Sequence, residues 1–174
     1  MDTVARIGDA APDFRLPDLD GRMYMPRQAR GHILVLNFWS AECPHSARLD
    51  QALPGLTAGW GEKVEIWCVA SNANEDEAML RAGAEARGLK IVLRDQGQAA
   101  ADAYGVQTTP HLFIVDEDGS LRYAGAPDDV TFRQRTPTRD YLREAVGALL
   151  AGRDPDPSQT RPFGCALTRQ VAAR

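Results

Sequence analysis

The sequence contains no long hydrophobic segment. No apolar run approaches the ~18 residues that a membrane-spanning helix requires, and residues 1–6 lack the basic start and apolar core of a secretory signal. These absences predict a soluble protein without a membrane span. We expect a cytoplasmic location by default, or a periplasmic one if a leader has been removed from a longer precursor.

The chain also lacks any concentration of positive charge. Its formal net charge is −4, and its 18 arginines and 2 lysines are scattered among 24 acidic residues. A protein that follows a nucleic-acid backbone gathers its basic residues on one surface. The sequence therefore argues against a nucleic-acid partner.

Length and composition are typical of one domain. The chain has 174 residues, of which 44% are hydrophobic, enough to form a sizeable core. Strand-like and helix-like segments alternate, so we expect an α/β domain over residues 1–152. Beyond it, Pro155, Pro157 and Pro162 prevent a helix from continuing, and residues 153–174 are predicted to be an extended tail.

Hydrophobic periodicity and capping residues locate the elements. Strands are predicted at residues 33–39, 64–70 and 91–93, and a β-hairpin at residues 112–124. Helices are predicted from Pro44 onward, from Asn74 to Gly88, from Gln98 to Gly105 and from Thr138 to Gly152, with Asn74 and Thr138 as N-caps. The expected inner faces of the first two helices consist of Leu49, Ala52, Leu53 and Leu56, and of Met79, Ala82 and Ala86. The segment 128–137, which contains Phe132, is expected to be a solvated loop.

Cysteine is scarce, and one of the three cysteines lies where a thiol is chemically active. Cys43 follows the predicted strand 33–39, and Pro44 suits the first position of the next helix, which makes Cys43 the N-cap. The free N–H groups and the dipole at a helix N-terminus stabilise an anion. We therefore expect Cys43 to have a lowered pKa and to be an accessible thiolate nucleophile. The alternative is that Cys43 is a small buried hydrophobic residue.

Three segments together resemble the thioredoxin superfamily, in particular its AhpC/TSA-redoxin and TlpA-like branches. Residues 37–46, NFWSAECPHS, are similar to the active-site stretch, residues 8–21 to the N-terminal hairpin, and residues 108–110 to the cis-proline loop. The resemblance covers about residues 8–152. It implies a thioredoxin-like fold, in which a central mixed β-sheet is flanked by helices and preceded by an N-terminal β-hairpin.

The same resemblance implies a thiol-disulfide oxidoreductase with Cys43 as the nucleophile. The residues that it assigns to substrate binding are Pro44, His45, Ser46, Thr109 and Pro110. Because few X-Pro bonds are cis, composition alone would predict a trans Thr109–Pro110 bond, whereas the resemblance predicts a cis bond that faces Cys43. The implied partners are a protein or small-molecule disulfide or peroxide and a thiol reductant, and no cofactor is expected.

The chain departs from the family's Cys-Pro-X-Cys motif, because Ser46 replaces the second cysteine. A mixed disulfide on Cys43 then needs another thiol for its release. Cys165 is the candidate, since Gly164-Cys165 resembles the Gly-Cys ending of related redoxins, and a tail of this length can reach across the domain. A pendant Cys165 without a partner is the alternative. Cys68, inside an apolar strand, is predicted to belong to the core.

Two other departures concern the surroundings of Cys43. Asn37 stands where thioredoxins carry a buried aspartate, so a thioredoxin proton relay is not expected. Glu42 stands where thioredoxins carry a tryptophan, and we expect it to face water, because an inward charge would oppose the thiolate.

Two histidines are expected near Cys43. His45 or His111, as an imidazolium, could favour the thiolate or protonate a leaving group. Alternatively, Cys43, His45 and His111 could hold a soft metal, although no ligand motif supports this and we predict no metal. His32 is expected at the surface.

Two further functions stay open from the sequence. Ser40, three residues before Cys43, fits the peroxiredoxin pattern, whereas Leu36 departs from the proline of that pattern. A thiol peroxidase would use Cys43, with Cys165 resolving a sulfenic acid. A non-catalytic module that captures peptides in the Pro110 groove is the other alternative.

Overall fold

The computed structural model describes residues 4–172, and the outermost residues of the predicted domain and tail lie outside this range. In chain order, the elements are β1 (Leu16–Pro17), β2 (Met23–Tyr24), β3 (Ile33–Trp39), α1 (Pro44–Thr57), β4 (Val64–Ala70), α2 (Glu77–Arg87), β5 (Val92–Arg94), α3 (Ala99–Tyr104), β6 (Thr108–Thr109), β7 (His111–Val115), β8 (Leu121–Gly125), α4 (Tyr141–Leu150) and β9 (Cys165–Ala166). Short 3₁₀ turns cover Pro26–Ala29 and Gly61–Lys63. The predicted α/β alternation is confirmed.

The central sheet has five strands in the order β5-β4-β3-β7-β8. Strands β3, β4 and β5 are parallel, whereas β7 runs antiparallel to β3 and β8 antiparallel to β7. This arrangement is the mixed sheet expected from the sequence. None of the helices within residues 4–172 is long and apolar enough to cross a membrane.

Strand β3 lies at the centre because both of its faces enter a core. All seven of its residues are buried. Phe38 packs in one cluster with Tyr104, and Val35 packs on the opposite face with Leu142 of α4. The strand ends four residues before Cys43, so the chain enters α1 from the interior of the sheet.

Two helices begin later than the sequence predicted, and the N-caps Asn74 and Thr138 are wrong. The side chain of Asp76 accepts a hydrogen bond from the backbone N–H of Met79 and caps α2. Asp140 caps α4 in the same way. In each case an aspartate two residues downstream is an equally good cap and lies next to the helix.

The inner faces of α1 and α2 also differ from those predicted. Leu49 and Leu56 of α1 are buried, whereas Ala52 is exposed. In α2 the buried residues are Leu80 and Ala84 rather than Ala82 and Ala86. The cause is the close approach of α2 to Trp39, which turns the Leu80–Ala84 face inward.

The predicted N-terminal hairpin is confirmed: its first strand, β1, lies within the segment 8–21, and its second strand, β2, follows that segment. Strands β1 and β2 pair antiparallel, with Leu16 opposite Tyr24. The Asp18 carboxylate accepts hydrogen bonds from the N–H groups of Asp20 and Arg22 and closes the turn.

The tail packs back onto the domain and is anchored on both sides of Cys165. Before Cys165, the Thr160 N–H donates to the Ala124 carbonyl at the β8 edge, 3.0 Å away. Strand β9 then pairs antiparallel with β6. After it, Leu167 is buried in the same cluster as Phe38, and its N–H donates to the Gln107 carbonyl at 2.9 Å. The position of Cys165 is therefore fixed by contacts at either end of its segment.

Candidate active site

Cys43 lies at the N-terminus of α1, as the sequence predicted. It is the N-cap residue, with an extended backbone (φ −79°, ψ 121°), and Pro44 occupies the first turn. The cap position predicted for Cys43 is confirmed, although its side chain makes no capping hydrogen bond. The nearby backbone N–H groups of Ser46 and His45 favour a negative charge on its sulfur.

The surroundings of Cys43 favour its thiolate. Burial opposes ionisation, but hydrogen bonds from the Cys165 thiol and from the N–H groups of Ser46 and His45 outweigh it and lower the pKa of Cys43. Burial and the adjacent Cys43 raise the pKa of Cys165. Of the two thiols, Cys43 therefore loses its proton first.

The two sulfur atoms lie in direct contact. Cys43 Sγ and Cys165 Sγ are 2.7 Å apart, and both residues are free cysteines. Cys165 is therefore not a pendant thiol. Its position follows from the β6–β9 pairing, in which Cys165 stands opposite Thr109.

The proline loop forms the wall opposite α1. The Thr109–Pro110 peptide bond is cis, and the Thr109 carbonyl oxygen lies 3.4 Å from Cys43 Sγ. The cis bond that the resemblance implied is confirmed, and the Thr109 carbonyl faces Cys43. The backbone edge of Thr108–Thr109 is occupied by the chain's own strand β9 rather than left open.

The expectation that Cys43 is accessible is wrong for this arrangement of the tail. Cys43 is only 2% exposed, whereas Cys165 is partly exposed. The tail covers the helix start, because Gly164 packs against the Thr109 carbonyl group and Pro110. The outward-facing sulfur of the pair is that of Cys165.

Ser46 occupies the place of the second cysteine in the Cys-Pro-X-Cys motif. It is fully buried, and its hydroxyl accepts a hydrogen bond from the Ser40 N–H at 3.3 Å. It therefore stabilises the loop before Cys43.

An aromatic row extends from His45 across the tail. The His45 ring packs edge-on against Phe163 at 5.0 Å, and Phe163 packs edge-on against Phe132 at 4.8 Å. Phe132 is 84% exposed, which agrees with the solvated loop predicted at residues 128–137. No local sequence pattern predicts that Phe163 bridges this loop to the active-site helix.

His111 does not act as an imidazolium. Its ring packs on Phe113 with the centroids 4.4 Å apart, and burial lowers the pKa of His111 to about 4. His111 is thus neutral at physiological pH. Cys43, His45 and His111 do not form a metal-ligand cluster, and no group of three such side chains gathers anywhere in residues 4–172.

A buried ion pair that sequence reasoning missed supports the loop before Cys43. The Asp50 carboxylate is inaccessible and accepts hydrogen bonds from Trp39 Nε1 at 2.8 Å and from Arg87 at 3.1 Å. Arg87 also donates to the carbonyl groups of Ser40 and Ala41. Burial raises the pKa of Asp50 despite these donors. The only sequence signal was an arginine at the end of a predicted helix.

The remaining predicted residues lie where they were expected. Glu42 is exposed, and Cys68 is 2% exposed in the core, where burial raises its pKa. Asn37 is buried and donates to the Cys68 sulfur at 3.9 Å. His32 is half-exposed beside Glu65.

Comparisons with known proteins agree with this site. The AhpC/TSA family matches residues 7–124. Thiol-disulfide oxidoreductase ResA of Halalkalibacterium halodurans is 32% identical over 122 residues, which are 68% of either chain.

Solved structures have the same fold. A hypothetical protein from Sinorhizobium meliloti has a TM-score of 0.84 and 27% identity, and the match covers 98% of both chains, including the tail. The thioredoxin domain of a thiol-disulfide oxidoreductase from Bacteroides vulgatus has a TM-score of 0.62 and 17% identity, over 75% of this chain and 92% of that one. The thioredoxin-like fold predicted from the sequence is therefore confirmed, and the chain belongs to the AhpC/TSA family.

Proposed function

We propose that the protein is a thiol-disulfide oxidoreductase in which Cys43 is the nucleophile and Cys165 the resolving thiol. One observation carries the proposal: a sulfur with a lowered pKa at a helix N-terminus lies 2.7 Å from a second thiol. A thiolate attacks a disulfide faster than a thiol does, and a second sulfur in contact can release the mixed disulfide. The name of the relative ResA, a thiol-disulfide oxidoreductase, agrees with this function.

The reaction proceeds in two exchanges. The Cys43 thiolate attacks one sulfur of the substrate disulfide, and the other substrate sulfur leaves as a thiolate and takes up a proton. Cys165 then attacks Cys43 Sγ, and its proton passes to the departing substrate thiolate. The products are a reduced substrate and a Cys43–Cys165 disulfide, which two thiols of an external reductant return to the starting state.

The substrate reaches Cys43 only if the tail moves, because Cys43 is 2% exposed. We assign substrate contacts to the exposed Pro44 and the half-buried His45 on one side of the sulfur. On the other side we assign them to the Thr109 backbone and Pro110. Ser46 takes part through its N–H group, since its hydroxyl is buried. The partners are a protein or small-molecule disulfide and a thiol reductant.

Mild oxidation followed by non-reducing mass spectrometry tests the pairing. The expected product is a peptide pair that joins Cys43 to Cys165, and its absence would refute the resolving role. In a disulfide-reduction assay, Cys43→Ser should abolish turnover, whereas Cys165→Ser should accumulate a mixed disulfide on Cys43. Cys68→Ala is the matched control and should retain activity, because Cys68 is buried away from the pair.

Thiol peroxidase activity is the second candidate, and the burial of Cys43 favours it. A peroxide is smaller than any organic disulfide and needs less displacement of the tail. The Cys43 thiolate would attack one peroxide oxygen, and the O–O bond would break, so that the other oxygen leaves as hydroxide or alkoxide and takes up a proton. Cys165 would then attack the sulfur of the resulting sulfenic acid, expel water and form the same disulfide. Stopped-flow measurement of the reaction between Cys43 and hydrogen peroxide tests this candidate. If Cys43 is oxidised no faster than an ordinary free thiol, the peroxidase function is refuted.

A further inference from the structure

A cleft lies beside the tail segment that leads into Cys165. Its volume is about 400 Å³, which lies within the range of small-molecule sites. The residues that line it are Thr108, Thr131, Phe132, Arg133, Arg161, Pro162, Phe163 and Gly164. Gly164 directly precedes Cys165, so the lining of the cleft ends one residue before the partly exposed cysteine of the pair.

The cleft suits a small molecule better than an extended polypeptide. The edge of β6, where a peptide could add as a strand, is already paired with β9. Gly164 packs so tightly against the Thr109 carbonyl group that not even a Cβ fits between them. With the tail in place, the cleft is bounded by the side chains of Phe132 and Phe163 rather than by a free backbone edge.

The cleft carries positive charge that the protein does not neutralise. Arg133 and Arg161 both line it, and neither has an ion-pair partner among the described residues. No carboxylate belongs to the lining. Of the acids on the same loop, Asp128 pairs with Arg48 and Asp129 accepts hydrogen bonds around Thr138. Arginines stay protonated at all accessible pH values and bind carboxylate, sulfonate and phosphate groups.

We propose that this cleft binds a small anionic thiol, which is the reductant of the Cys43–Cys165 disulfide. The proposal rests on the function proposed above. Arg133 and Arg161 hold the anionic group of the reductant, and the Phe132–Phe163 wall contacts its carbon skeleton. Its thiolate is thereby brought next to Cys165, the exposed member of the pair.

Reduction of the Cys43–Cys165 disulfide takes two successive attacks by reductant thiolates. The reductant thiolate attacks Cys165 Sγ, the Cys43–Cys165 bond breaks, and Cys43 leaves as the thiolate that its surroundings stabilise. A second reductant thiolate attacks the sulfur of the first reductant molecule, and Cys165 leaves and takes up a proton. Two reductant thiols are oxidised to one disulfide, and the protein disulfide is reduced to two thiols.

Stopped-flow reduction of the oxidised protein tests the proposal with three probes of similar size. They are 2-mercaptoethanesulfonate (anionic), 2-mercaptoethanol (neutral) and cysteamine (cationic), with rates compared per thiolate. At low ionic strength we expect the sulfonate to react about tenfold faster than the neutral thiol and cysteamine to react slowest, and added salt should reduce the difference. Equal rates for the three probes would overturn the proposal.

Variants of single arginines test whether the preference for the anionic thiol arises in the cleft. Arg133→Gln and Arg161→Gln should each reduce the preference for the sulfonate, whereas Arg135→Gln, on the same loop but outside the lining, should retain it. An equal loss in Arg135→Gln would indicate a diffuse surface field and overturn the cleft assignment. The disulfide is first identified by mass spectrometry in every preparation, so that a failure of the proposed function is recognised separately from a failure of the cleft.

Discussion

Gly164 packs its backbone directly against the carbonyl group of Thr109. A Cβ on residue 164 would overlap the Thr109 carbonyl oxygen and approach Pro110 Cδ to 3.1 Å. Since Thr109 also contacts Cys43 Sγ, this close approach brings the tail near enough for Cys165 to reach Cys43. A glycine is required here for space.

Gly164→Ala should therefore displace the segment that carries Cys165. We expect a loss of about 1–3 kcal/mol in the free energy of unfolding, as for other overpacked sites, and slower formation of the Cys43–Cys165 disulfide. Denaturant titration and timed alkylation measure the two effects. Gly147→Ala in α4 is the control, because a Cβ there meets nothing within 4 Å, and alanine favours a helix by about 0.5–1 kcal/mol. Unchanged disulfide formation in Gly164→Ala would contradict the role of this contact.

Leu167 anchors the other end of the cysteine segment. It is 7% exposed in the main core cluster, so Leu167→Ala should lower the free energy of unfolding by about 2–3 kcal/mol. The loss of this anchor should also expose Cys43 to alkylation. Leu150→Ala is the matched control, since Leu150 is 38% exposed, and should change stability by less than about 0.5 kcal/mol. Equal Cys43 reactivity in the two variants would show that Leu167 does not hold the tail over the site.

Much of the scaffold follows from local sequence signals. The apolar runs of β3 and β4 predicted their bounds, and Cys43-Pro44 predicted the start of α1. Gly88 and Gly105 predicted two helix ends, and both have the left-handed backbone that favours glycine there. Each of these features depends on residues that are close together along the chain, so a single sequence is enough to predict it.

The closure of the site depends on contacts that local signals do not contain. Cys165 reaches Cys43 across 122 positions, through strand pairing of only two residues and the burial of a single leucine. Asn74 and Thr138 are good capping residues, but Asp76 and Asp140 are equally good, and only packing decides which of them begins the helix. The burial of Cys43 by the tail is likewise a long-range effect.

The hydrogen bond from Cys165 contributes to the low pKa of Cys43. Cys165→Ser keeps a hydrogen-bond donor beside Cys43, whereas Cys165→Ala removes it. The pKa of Cys43 should therefore be lower in the serine variant than in the alanine variant, by about one pH unit, because a hydrogen bond to a charged group contributes about 1.5–3 kcal/mol. The ultraviolet absorbance of the thiolate, followed as a function of pH, measures both values. Equal pKa values would assign the lowering to the helix N–H groups alone.

Arg87 and Asp50 form a buried pair, so the loss of one partner should be costly. Arg87→Ala leaves the Asp50 carboxylate buried without its cation and removes two donors from the loop before Cys43. We expect a loss of about 3–5 kcal/mol in the free energy of unfolding. Arg81→Ala on the same helix is the control and should change stability little, since its ion pairs are exposed and screened by water. Similar losses in both variants would mean that burial of the Arg87 pair is unimportant.

His111 should make the protein less stable in mild acid. Burial lowers its pKa to about 4 in the folded state, whereas the pKa in the unfolded chain is about 6.5. Between these values the unfolded chain binds a proton that the folded protein does not, so the free energy of unfolding decreases as the pH falls from about 6.5 to about 4.

His111→Phe should remove this dependence, because phenylalanine keeps the ring contact with Phe113 and cannot be protonated. Urea titrations at pH 7 and pH 5 should show that the wild type loses about 1–2 kcal/mol more stability than His111→Phe. His32→Gln, at a half-exposed histidine, should retain the wild-type dependence. If His111→Phe were as sensitive to acid as the wild type, the loss would come from other groups, and His111 would have to be accessible to protons in the folded state.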